Sequence, residues 1–447
     1  MNSDAILGRR KPFRWIVTAG IVTAAVGLAA CGGSDNKSDS GSGSASGGTT
    51  TEAKKAAKPT ELVFGNLVGL PAEGGTDFAN GVAIGIKEIN DAGGVEGVMI
   101  SEKQFKKGVS PETAVQAYRQ AAADPSVLVA WAGAGGGQAI KAQADKVKLA
   151  VFNANGRRDA YDPVGKYFFA ISADGEYATS ALVWANQNVA PVKKLAVLHF
   201  DSDYSLSLTP ALKERCEGNF KATPDSDPLP PLGCKVVDEE QAAYDAPVDA
   251  LIPQLTKMKN SGADTYYIEC LNPNAMKAAR QLGLFDKAVI SDQNCAVPAL
   301  AAAAGPALNG LVIGAHKCAA GDEIPATDPV RVFCDNMKKN YAAMFPKLQW
   351  ANYSIYGNDA VHLFAEAARK LIVAGKEVTR DSIRDELEAF DGTGDFTTSH
   401  GKPKTSATNH RITGTWKEAY ADIEVNVAGD KPSYKLAKGA DPTGADW

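Results

Sequence analysis

The sequence predicts an α/β protein made of two successive halves, each a mainly parallel sheet flanked by helices. Two observations support this prediction. Apolar runs with strand character alternate with amphipathic stretches at helical spacing over most of the chain, a pattern typical of parallel strands joined by crossover helices. The folded sequence begins near Thr60 and extends towards residue 447, which is enough chain for two domains.

The predicted elements follow one another in a regular order. Short apolar runs predict strands at 62–68, 127–131, 150–153, 167–171, 195–200, 234–237, 265–268, 288–290 and 311–313. Apolar residues three and four apart predict helices at 78–89, 111–122, 177–186, 248–259 and 275–282, and in a helix-rich region at 330–344, 354–374 and 380–390. The stretch 413–427 predicts short strands. Because ligands of open parallel sheets bind beyond the carboxyl ends of the strands, the loops after the strands are the candidate site.

The first 31 residues have the features of a secretory signal. Four basic side chains precede an uncharged apolar run at 15–30, and the sequence Leu-Ala-Ala stands directly before Cys31. The run is shorter than the ~20 residues that a membrane-spanning helix needs. Leu-Ala-Ala-Cys resembles the bacterial lipobox, whose cysteine receives a diacylglyceryl group and becomes the new N-terminus. We therefore expect a signal peptide over 1–30 and lipidation at Cys31; the alternative is an ordinary signal peptide with an incidental cysteine.

The segment 31–59 predicts a disordered, Gly/Ser-rich tether. After Cys31 it holds mostly Gly, Ser, Thr, Asp, Ala and Lys, with no aromatic or large aliphatic side chain. Such a chain cannot bury enough apolar surface to offset the entropy lost on ordering. Together with a lipidated Cys31, the tether predicts an extracytoplasmic protein anchored to the bacterial cell membrane by an N-terminal lipid.

Composition and motifs argue against several function classes. The chain is 45% hydrophobic and 22% charged with a net charge of −5, so it has no electrostatic footprint for nucleic acid. The five histidines form no HExxH pair, and no Gly-x-Ser-x-Gly elbow, P-loop or dinucleotide fingerprint is present. We expect no enzymatic activity, no cofactor and no metal.

Six cysteines remain beyond Cys31, and an even number in an exported chain indicates disulfides. Fifteen connectivities are possible in principle. We expect neighbours to pair as Cys216–Cys234, Cys270–Cys295 and Cys318–Cys334. The first and last pairs each bracket a Pro/Asp-rich excursion, whereas the middle two cysteines each follow a strand-like run. A metal site would need CxxC or HxxxH spacing, which the sequence lacks.

The first strand, loop and helix carry a family resemblance. They read LVFGNLVGLPAEGG from Leu62 and GVAIGIKEINDAGGVEG from Gly81, and the piece INDAGGVEG at 89–97 is the most specific. This opening resembles type I periplasmic binding proteins, specifically the branched-chain amino-acid (leucine/isoleucine/valine) group that serves ABC importers. The resemblance continues to about Val427. In the helix that this piece ends, Gly93 and Gly94 supply the helix stop.

The resemblance implies a two-lobe fold with three hinge crossings and a ligand between the lobes. By spacing, the crossings fall near 172–175, 316–317 and 413–415. Lobe one is then 60–174 plus 317–412, and lobe two is 175–316 plus 413–447. The implied partners are a small-molecule ligand and the permease subunits of an ABC importer, and we expect a monomer.

The loop WAGAGGGQ at 131–138 opens a predicted helix and is the main candidate in lobe one. The family usually has a Ser-rich segment here, whose hydroxyl and N–H groups hold the ligand carboxylate. Ala134, Gly135, Gly136 and Gly137 keep the N–H groups without hydroxyls, and successive N–H groups at a helix start make an anion nest. The alternative is a simple tight turn. We expect Gly136→Asp to abolish binding while leaving the fold largely intact.

Two further positions of lobe one depart from the family pattern. Relatives place a small residue and a Thr where this chain has Asn155 and Arg157, in contact with the ligand's amino group. Arg157 would repel an ammonium and favour a second carboxylate or another anion, unless it pairs with Asp159 at the surface. After the second strand the family usually has an Asp, but this chain reads Phe105-Lys106-Lys107-Gly108 there and has no acidic residue.

Lobe two offers four candidates at predicted strand ends. Tyr204 matches the family's ligand-covering tyrosine, with a surface role as the alternative. Glu269 stands near a position where relatives carry an aromatic residue. Gln293 holds the place of the acid that meets the ligand ammonium, and Asp292 is adjacent. An Asp would neutralise an amine, whereas Gln favours a neutral polar group, and one or both could instead face solvent.

These observations favour a lipid-anchored solute-binding protein that captures an amino acid or a related carboxylate or amide and delivers it to an ABC importer. The alternative is a ligand-sensing receptor lipoprotein, or an amide/urea-type binder, with the same fold.

Overall fold

The structure is a computed structural model that describes residues 56–69, 75–108, 110–154, 158–171, 174–202, 204–221, 226–412, 419–442 and 444. The predicted signal peptide, Cys31 and most of the tether lie outside the described residues. Within the described ranges, no helix combines the length and the apolar character that a membrane crossing requires.

Twelve strands and twelve helices are assigned in the described part of the chain. The strands are β1 Leu62–Val68, β2 Ile100–Lys106, β3 Val127–Trp131, β4 Ala150–Asn153, β5 Phe168–Ala170, β6 Lys194–Phe200, β7 Lys235–Ala242, β8 Thr265–Ile268, β9 Ala288–Asp292, β10 Leu311–His316, β11 Tyr420–Ala428 and β12 Lys431–Leu436. The helices are α1 Gly75–Asp91, α2 Pro111–Ala123, α3 Gly137–Val147, α4 Arg158–Tyr161, α5 Asp174–Asn188, α6 Leu208–Glu217, α7 Val248–Asn260, α8 Pro273–Gln281, α9 Pro298–Ala304, α10 Pro329–Met344, α11 Ser354–Val373 and α12 Arg380–Glu388.

The strands form two sheets, and the predicted α/β class is confirmed. The first sheet has the order β2-β1-β3-β4-β5 and is parallel throughout. The second sheet has the order β12-β11-β10-β9-β8-β6-β7. It is parallel from β7 to β10, while β11 and β12 are antiparallel. The carboxyl ends of neighbouring parallel strands lie at one edge of each sheet, where the candidate loops emerge.

Local sequence signals explain where several helices begin and end. Ser110 caps α2 ahead of Pro111, and Asp328 caps α10 ahead of Pro329, since proline needs no N–H bond in the first turn. Thr379 and Ser382 form a reciprocal capping box at α12. After α1, Gly93 and Gly94 adopt φ values of +96° and +76°, which confirms the predicted helix stop.

Each sheet is covered by its own apolar packing. The core around the first sheet draws on the strands and also on α10, α11 and α12, which come much later in the chain. The second sheet packs one apolar cluster on each face. Glycines at Gly81 and Gly357 let α1 and α11 approach closely, because a Cβ at either position would overlap the backbone of the other helix.

The three predicted disulfides are confirmed. Cys216–Cys234, Cys270–Cys295 and Cys318–Cys334 are bonded, with Cα–Cα distances of 4.7, 5.3 and 5.1 Å. The middle pair joins the ends of β8 and β9, which are neighbours in the second sheet.

Three strands differ from the sequence prediction. β2 is an edge strand at 100–106, where the apolar runs predicted no strand. β7 runs on to Ala242 rather than stopping at Val237, and its last residues are mostly charged because it is an edge strand with exposed positions. The tail holds one long strand, β11, followed by the unpredicted edge strand β12, whose side chains alternate between exposed and half-buried.

Candidate functional site

The glycine loop, residues 132–136 between β3 and α3, brings several unpaired backbone N–H groups close together. Gly133 and Gly136 take φ values of +64° and +78°, which turn the chain sharply into the helix. Within the described ranges, the N–H groups of residues 133–139 meet no acceptor in hydrogen-bond geometry. The first turn of α3 therefore has the donors and the dipole direction of an anion nest.

Lys107 lies directly behind this loop. Its side chain is only 7% exposed, and its Nζ donates to the carbonyl oxygens of Ala132 at 2.8 Å and Gly135 at 3.0 Å. Because C=O and N–H point in opposite directions across a trans peptide, the N–H groups of Gly133 and Gly136 point away from Lys107. In the sequence this lysine stands out only as a departure from the family pattern. In the structure it places a cation beneath the nest.

Gly135 and Gly136 differ in the room around them. A Cβ at Gly135 would meet nothing nearer than Lys107 Nζ, at 3.8 Å. A Cβ at Gly136 would lie 2.6 Å from Ala114 Cβ on α2, and the residue holds a positive φ. The expectation that Gly136→Asp leaves the fold intact is therefore wrong, because this glycine is also a packing requirement. Gly135 is the position at which the nest can be altered cleanly.

An aromatic group borders the glycine loop and was not predicted from the sequence. Phe78 stacks on Tyr353 with ring centroids 5.1 Å apart, and its ring also lies 5.8 Å from Trp131 and 6.0 Å from Tyr356. Phe78 Cδ2 is 3.9 Å from the position that a Cβ of Gly133 would take. The group therefore links the loop of the first sheet to the start of α11.

A polar seam joins the end of β9 in the second sheet to the residues before and within α11. Gln293 Nε2 donates to Tyr356 Oη at 3.0 Å, and Asn352 Nδ2 donates to Gln293 Oε1 at 3.4 Å. The hydroxyl of Tyr353 donates to Asn294 Oδ1. Gln293, Asn294 and Asn352 are all buried. Of these five residues, only Gln293 was a sequence-based candidate.

Asp292 is buried with its carboxylate fully engaged by internal donors. Its Oδ2 accepts from Tyr267 Oη at 2.8 Å and from the Cys270 N–H at 3.4 Å, and its Oδ1 accepts from the Asn294 N–H at 2.8 Å. The side chain of Tyr204 also interacts with it. Burial raises the pKa of Asp292 above its ordinary value, and these hydrogen bonds oppose the rise.

Glu269 also faces inwards. Its Oε2 accepts from the Phe200 N–H at 2.9 Å, and its Oε1 accepts from Ser205 Oγ at 2.7 Å. The side chain thereby fixes the loop after β6 that carries Tyr204, which is partly buried. Tyr204, Glu269 and Asp292 thus lie at the carboxyl ends of β6, β8 and β9, which are adjacent strands. Asn155 and Arg157 lie outside the described residues.

Three tyrosines meet where α5, α11 and β11 come together. The Tyr177 hydroxyl shares hydrogen bonds with those of Tyr356 and, at 3.1 Å, Tyr420. These hydroxyls extend the seam from Gln293 into the interior. No spacing in the sequence brings the three residues together, because they are separated by more than 60 positions.

Two histidines lie beside these tyrosines. His316, at the predicted second crossing, has its Nε2 3.0 Å from Ser399 O, and His400 Nδ1 lies 2.6 Å from Asp359 Oδ2. Burial, and after it the charge of His400, holds the pKa of His316 well below its ordinary value. His316 also lies close to Cys318 and Cys334, but both sulfur atoms belong to a disulfide, so this group offers no metal site.

A separate cavity of about 350 Å³ opens between α1, α10 and α11. Glu88 lines it and accepts hydrogen bonds from Asn340 at 2.6 Å, Asn358 at 2.9 Å and His362 at 3.1 Å. Burial raises the pKa of Glu88, but these donors together outweigh burial and leave the pKa below its usual value. The carboxylate is therefore already satisfied by the protein.

Comparison with known proteins gives a consistent result. A family model described as periplasmic binding protein matches residues 63–422. An extracellular ligand-binding receptor from Rhodopseudomonas palustris HaA2 superposes with a TM-score of 0.67 at 18% identity, over 85% of this chain and 100% of that one. The branched-chain amino acid transporter substrate binding protein LivJ from Streptococcus pneumoniae, solved with isoleucine, gives 0.63 at 18% identity, over 85% and 99%. An ABC transporter substrate-binding protein from Sphaerobacter thermophilus gives 0.67 at 16% identity, over 87% and 99%. At identities below 20%, the similarity to these structures shows a shared fold only. A comparison with curated proteins found no match to the sequence.

Proposed function

This chain belongs to the periplasmic binding protein family, and we propose that it captures a small polar ligand outside the cytoplasm and delivers it to an ABC importer. The ligand class is an amino acid or a related carboxylate or amide. The observation that carries this proposal is the glycine loop, whose free N–H groups stand over the buried ammonium of Lys107. Together they present donors and positive potential to a carboxylate or carbonyl end.

The ligand would lie between two lobes that close around it. We assign 60–174 plus 317–412 to lobe one and 175–316 plus 413–447 to lobe two. This division is supported by the apolar clusters, since the core of the first sheet includes α10 to α12 while β11 packs with the second sheet. In this proposal the polar seam of Gln293 is a contact between the lobes, and the crossing at 316–317 is one of the hinges.

The proposed import role draws on the wider family context. The LivJ structure is that of a branched-chain amino acid transporter substrate binding protein in complex with isoleucine, which supports amino acids and related carboxylates as the first compounds to test. A second candidate is a ligand-sensing receptor, which the likeness to the extracellular ligand-binding receptor from Rhodopseudomonas palustris favours. Uptake of labelled ligand that depends on this protein and on an ABC permease supports import, whereas normal uptake without the protein favours sensing.

Lipid anchoring at Cys31 completes the proposal. The basic start, the apolar run and the Leu-Ala-Ala-Cys order support it. The tether would then hold the ligand-binding part of the chain away from the bilayer. The first described residue is Ala56, whose N–H donates to Gly375 O at 2.9 Å.

A thermal-shift screen of the mature protein tests the proposed function. The compounds are amino acids, dicarboxylates, aromatic acids, amides and polyamines. A ligand present at 100 times its Kd stabilises the folded state by about 2.7 kcal/mol, which raises the melting temperature measurably. Absence of any shift across these classes would contradict the proposal.

A further inference from the structure

The polar seam between the two sheets is held by hydrogen bonds between uncharged side chains. Gln293 and Asn294 follow β9 of the second sheet, whereas Asn352, Tyr353 and Tyr356 stand at the start of α11, a helix of the first core. Three bonds cross the seam, from Asn352 Nδ2 to Gln293 Oε1, from Gln293 Nε2 to Tyr356 Oη and from the Tyr353 hydroxyl to Asn294 Oδ1. Neutral bonds of this kind contribute little net free energy, because water offers the same groups equivalent partners when they are exposed.

Two amide atoms of the seam are buried without a partner. Asn294 is 3% exposed and Asn352 is 0% exposed. Among the described residues, Asn294 Nδ2 and Asn352 Oδ1 meet no hydrogen-bond partner. In water both atoms are hydrogen-bonded, so their burial costs the hydration that they lose and regains nothing in return. Such atoms are rare in native proteins and require an explanation.

A third unpartnered atom lies at the same boundary between the two cores. His400 precedes β11 in the chain, and its Nδ1 lies 2.6 Å from Asp359 Oδ2 on α11. Its ring centroid is 5.0 Å from that of His316 on β10 and 5.8 Å from that of Tyr420 on β11, both strands of the second sheet. In the described part of the chain, His400 Nε2 is also buried without a partner. The unpartnered atoms thus recur where the two cores meet.

Separation of the two lobes would return the amide atoms to water. Asn352 leads into Ile355 and Tyr356 of the first core, whereas Asn294 leads into Cys295 of the second, so the two side chains are enclosed together only while the cores are in contact. The cost of leaving their atoms unpaired therefore raises the free energy of the closed state and leaves the folding of each lobe unaffected. This step rests on the proposed capture of a ligand between two lobes.

We propose that Asn294 and Asn352 set the affinity of the site by opposing closure, without touching the ligand. In the ligand-free protein the unpaired amide atoms keep the lobes mostly apart, and ligand binding supplies the free energy that encloses them. One unsatisfied buried atom lowers the ratio of closed to open protein by about 5–150-fold. The apparent affinity falls in parallel, because only the closed fraction holds the ligand fully. Removal of such an atom should therefore tighten binding, which is the opposite of what the loss of a ligand contact does.

Asn352 is the position at which this effect can be isolated. Asn352→Leu keeps a side chain of similar size and removes the unpaired Oδ1. The hydrogen bond that it loses is the long one at 3.4 Å, and Gln293 Oε1 still accepts from the Tyr356 hydroxyl at 3.2 Å. The backbone oxygen of residue 352 continues to accept from the Ile355 N–H. Asn352→Asp keeps the shape but adds a charge, whose burial in the seam disfavours closure further.

Asn358→Leu is the matched control. Asn358 is also 0% exposed, and its Oδ1 likewise has no partner among the described residues. Its Nδ2 donates to Glu88 on α1 at 2.9 Å, so this side chain lies between two helices that pack on the first sheet. It stays buried whether the lobes are open or closed. The substitution should therefore alter global stability and leave the ratio of closed to open protein unchanged.

Pulsed electron paramagnetic resonance on the ligand-free mature protein measures this ratio. Spin labels at Glu112→Cys and Asp249→Cys suit the purpose, because both residues are exposed in the first turns of α2 and α7, one beyond each sheet. Cys31→Ser leaves the two labels as the only reactive positions, since the other six cysteines are paired. We expect the open distance to predominate in the parent and in Asn358→Leu. The ratio of closed to open protein should rise about 5-fold or more in Asn352→Leu and fall in Asn352→Asp.

Three results of the distance measurement overturn the inference. They are an unchanged or lower closed fraction in folded Asn352→Leu, an equal rise in Asn358→Leu, and a parent that is already closed without a ligand. If Asn352→Leu does not fold, Asn352→Met removes the same atom with an unbranched side chain and decides in its place.

Calorimetric titration separates this inference from the proposed function. The probes are isoleucine, isocaproate and isocaproamide, which represent an amino acid, a carboxylate and an amide. Any probe that binds the parent should bind Asn352→Leu about 5-fold or more tightly and Asn352→Asp more weakly. Equal or weaker binding to folded Asn352→Leu overturns the inference and leaves the proposed function standing. Binding of no probe counts against the proposed function, and the spin-label distances still decide whether the seam opposes closure.

Discussion

Gly136→Ala is a small change for which the structure predicts a large effect on stability. The residue holds φ at +78°, and a left-handed conformation costs a non-glycine residue roughly 1–2 kcal/mol. The added Cβ would also lie 2.6 Å from Ala114 Cβ, and overpacking of this kind costs about 1–3 kcal/mol. The two contributions together predict a loss of about 2–5 kcal/mol in the free energy of unfolding.

Two further variants separate the contributions. Gly135→Ala places a methyl group 3.8 Å from Lys107 Nζ, which is ordinary contact, at a residue without positive φ, so its stability should stay within about 0.5 kcal/mol of the parent. Ala114→Gly combined with Gly136→Ala removes the overlap but keeps the backbone strain and adds roughly 0.5–1 kcal/mol for a glycine in α2. The double variant should therefore recover only part of the loss.

Urea denaturation followed by far-UV circular dichroism and tryptophan fluorescence measures these differences as shifts in midpoint at constant slope. Parental stability of Gly136→Ala, or an equal loss in Gly135→Ala, would show that the loop does not have the close packing described here.

The histidine, the lysine, the tyrosine and the N-terminal cysteine each give a further prediction. The pKa of His316 is held well below its ordinary value, so unfolding exposes a group that binds a proton below about pH 6.5. The free energy of unfolding should therefore fall as the pH is lowered from 8 to 5, and His316→Gln should flatten that dependence in a thermal-melt series. Lys107→Met should weaken binding of an acidic ligand more than binding of its neutral amide, and Lys107→Arg should retain part of this difference. Equal losses for the acid and the amide would show that the charge of Lys107 does not act on the ligand. Tyr204→Ala should weaken binding by about 1–3 kcal/mol in a calorimetric titration, and parental affinity would place Tyr204 outside the site. Cys31→Ser should release the protein from membranes or leave unprocessed precursor, and unchanged acyl labelling of that variant would disprove lipidation.

Much of the fold was predictable because its signals are local. The parallel strands are short apolar runs bounded by polar loops, and most of the major helices carry clear apolar periodicity. The disulfides followed from sequence proximity, since each closes a short excursion or joins two neighbouring strand ends. The edge strands β2, β7 and β12 were incomplete or missed because polar and charged residues interrupt their apolar pattern.

The candidate site was predictable only in part, because its missing members meet through tertiary contacts. Asn352 reaches Gln293, and Tyr353 reaches Asn294, each across 59 positions of sequence, so only the folded chain brings these residues together. Lys107 is one of two adjacent lysines, and no local pattern shows which one turns inwards beneath the glycine loop. Likewise, the contact between Gly136 and Ala114 joins two helices, so the packing role of this glycine was invisible in the sequence.

The central claim is that a small ligand binds at the glycine loop above Lys107. The most direct test is calorimetric titration of the best compound from the screen into the parent protein, Gly135→Asp and Gly135→Ala. Gly135→Asp should place a carboxylate beside Lys107 Nζ and neutralise the positive charge beneath the nest, whereas Gly135→Ala fits the same space without charge. We expect one ligand per chain for the parent and for Gly135→Ala, with no measurable binding to a folded Gly135→Asp. Parental affinity in Gly135→Asp would contradict the account.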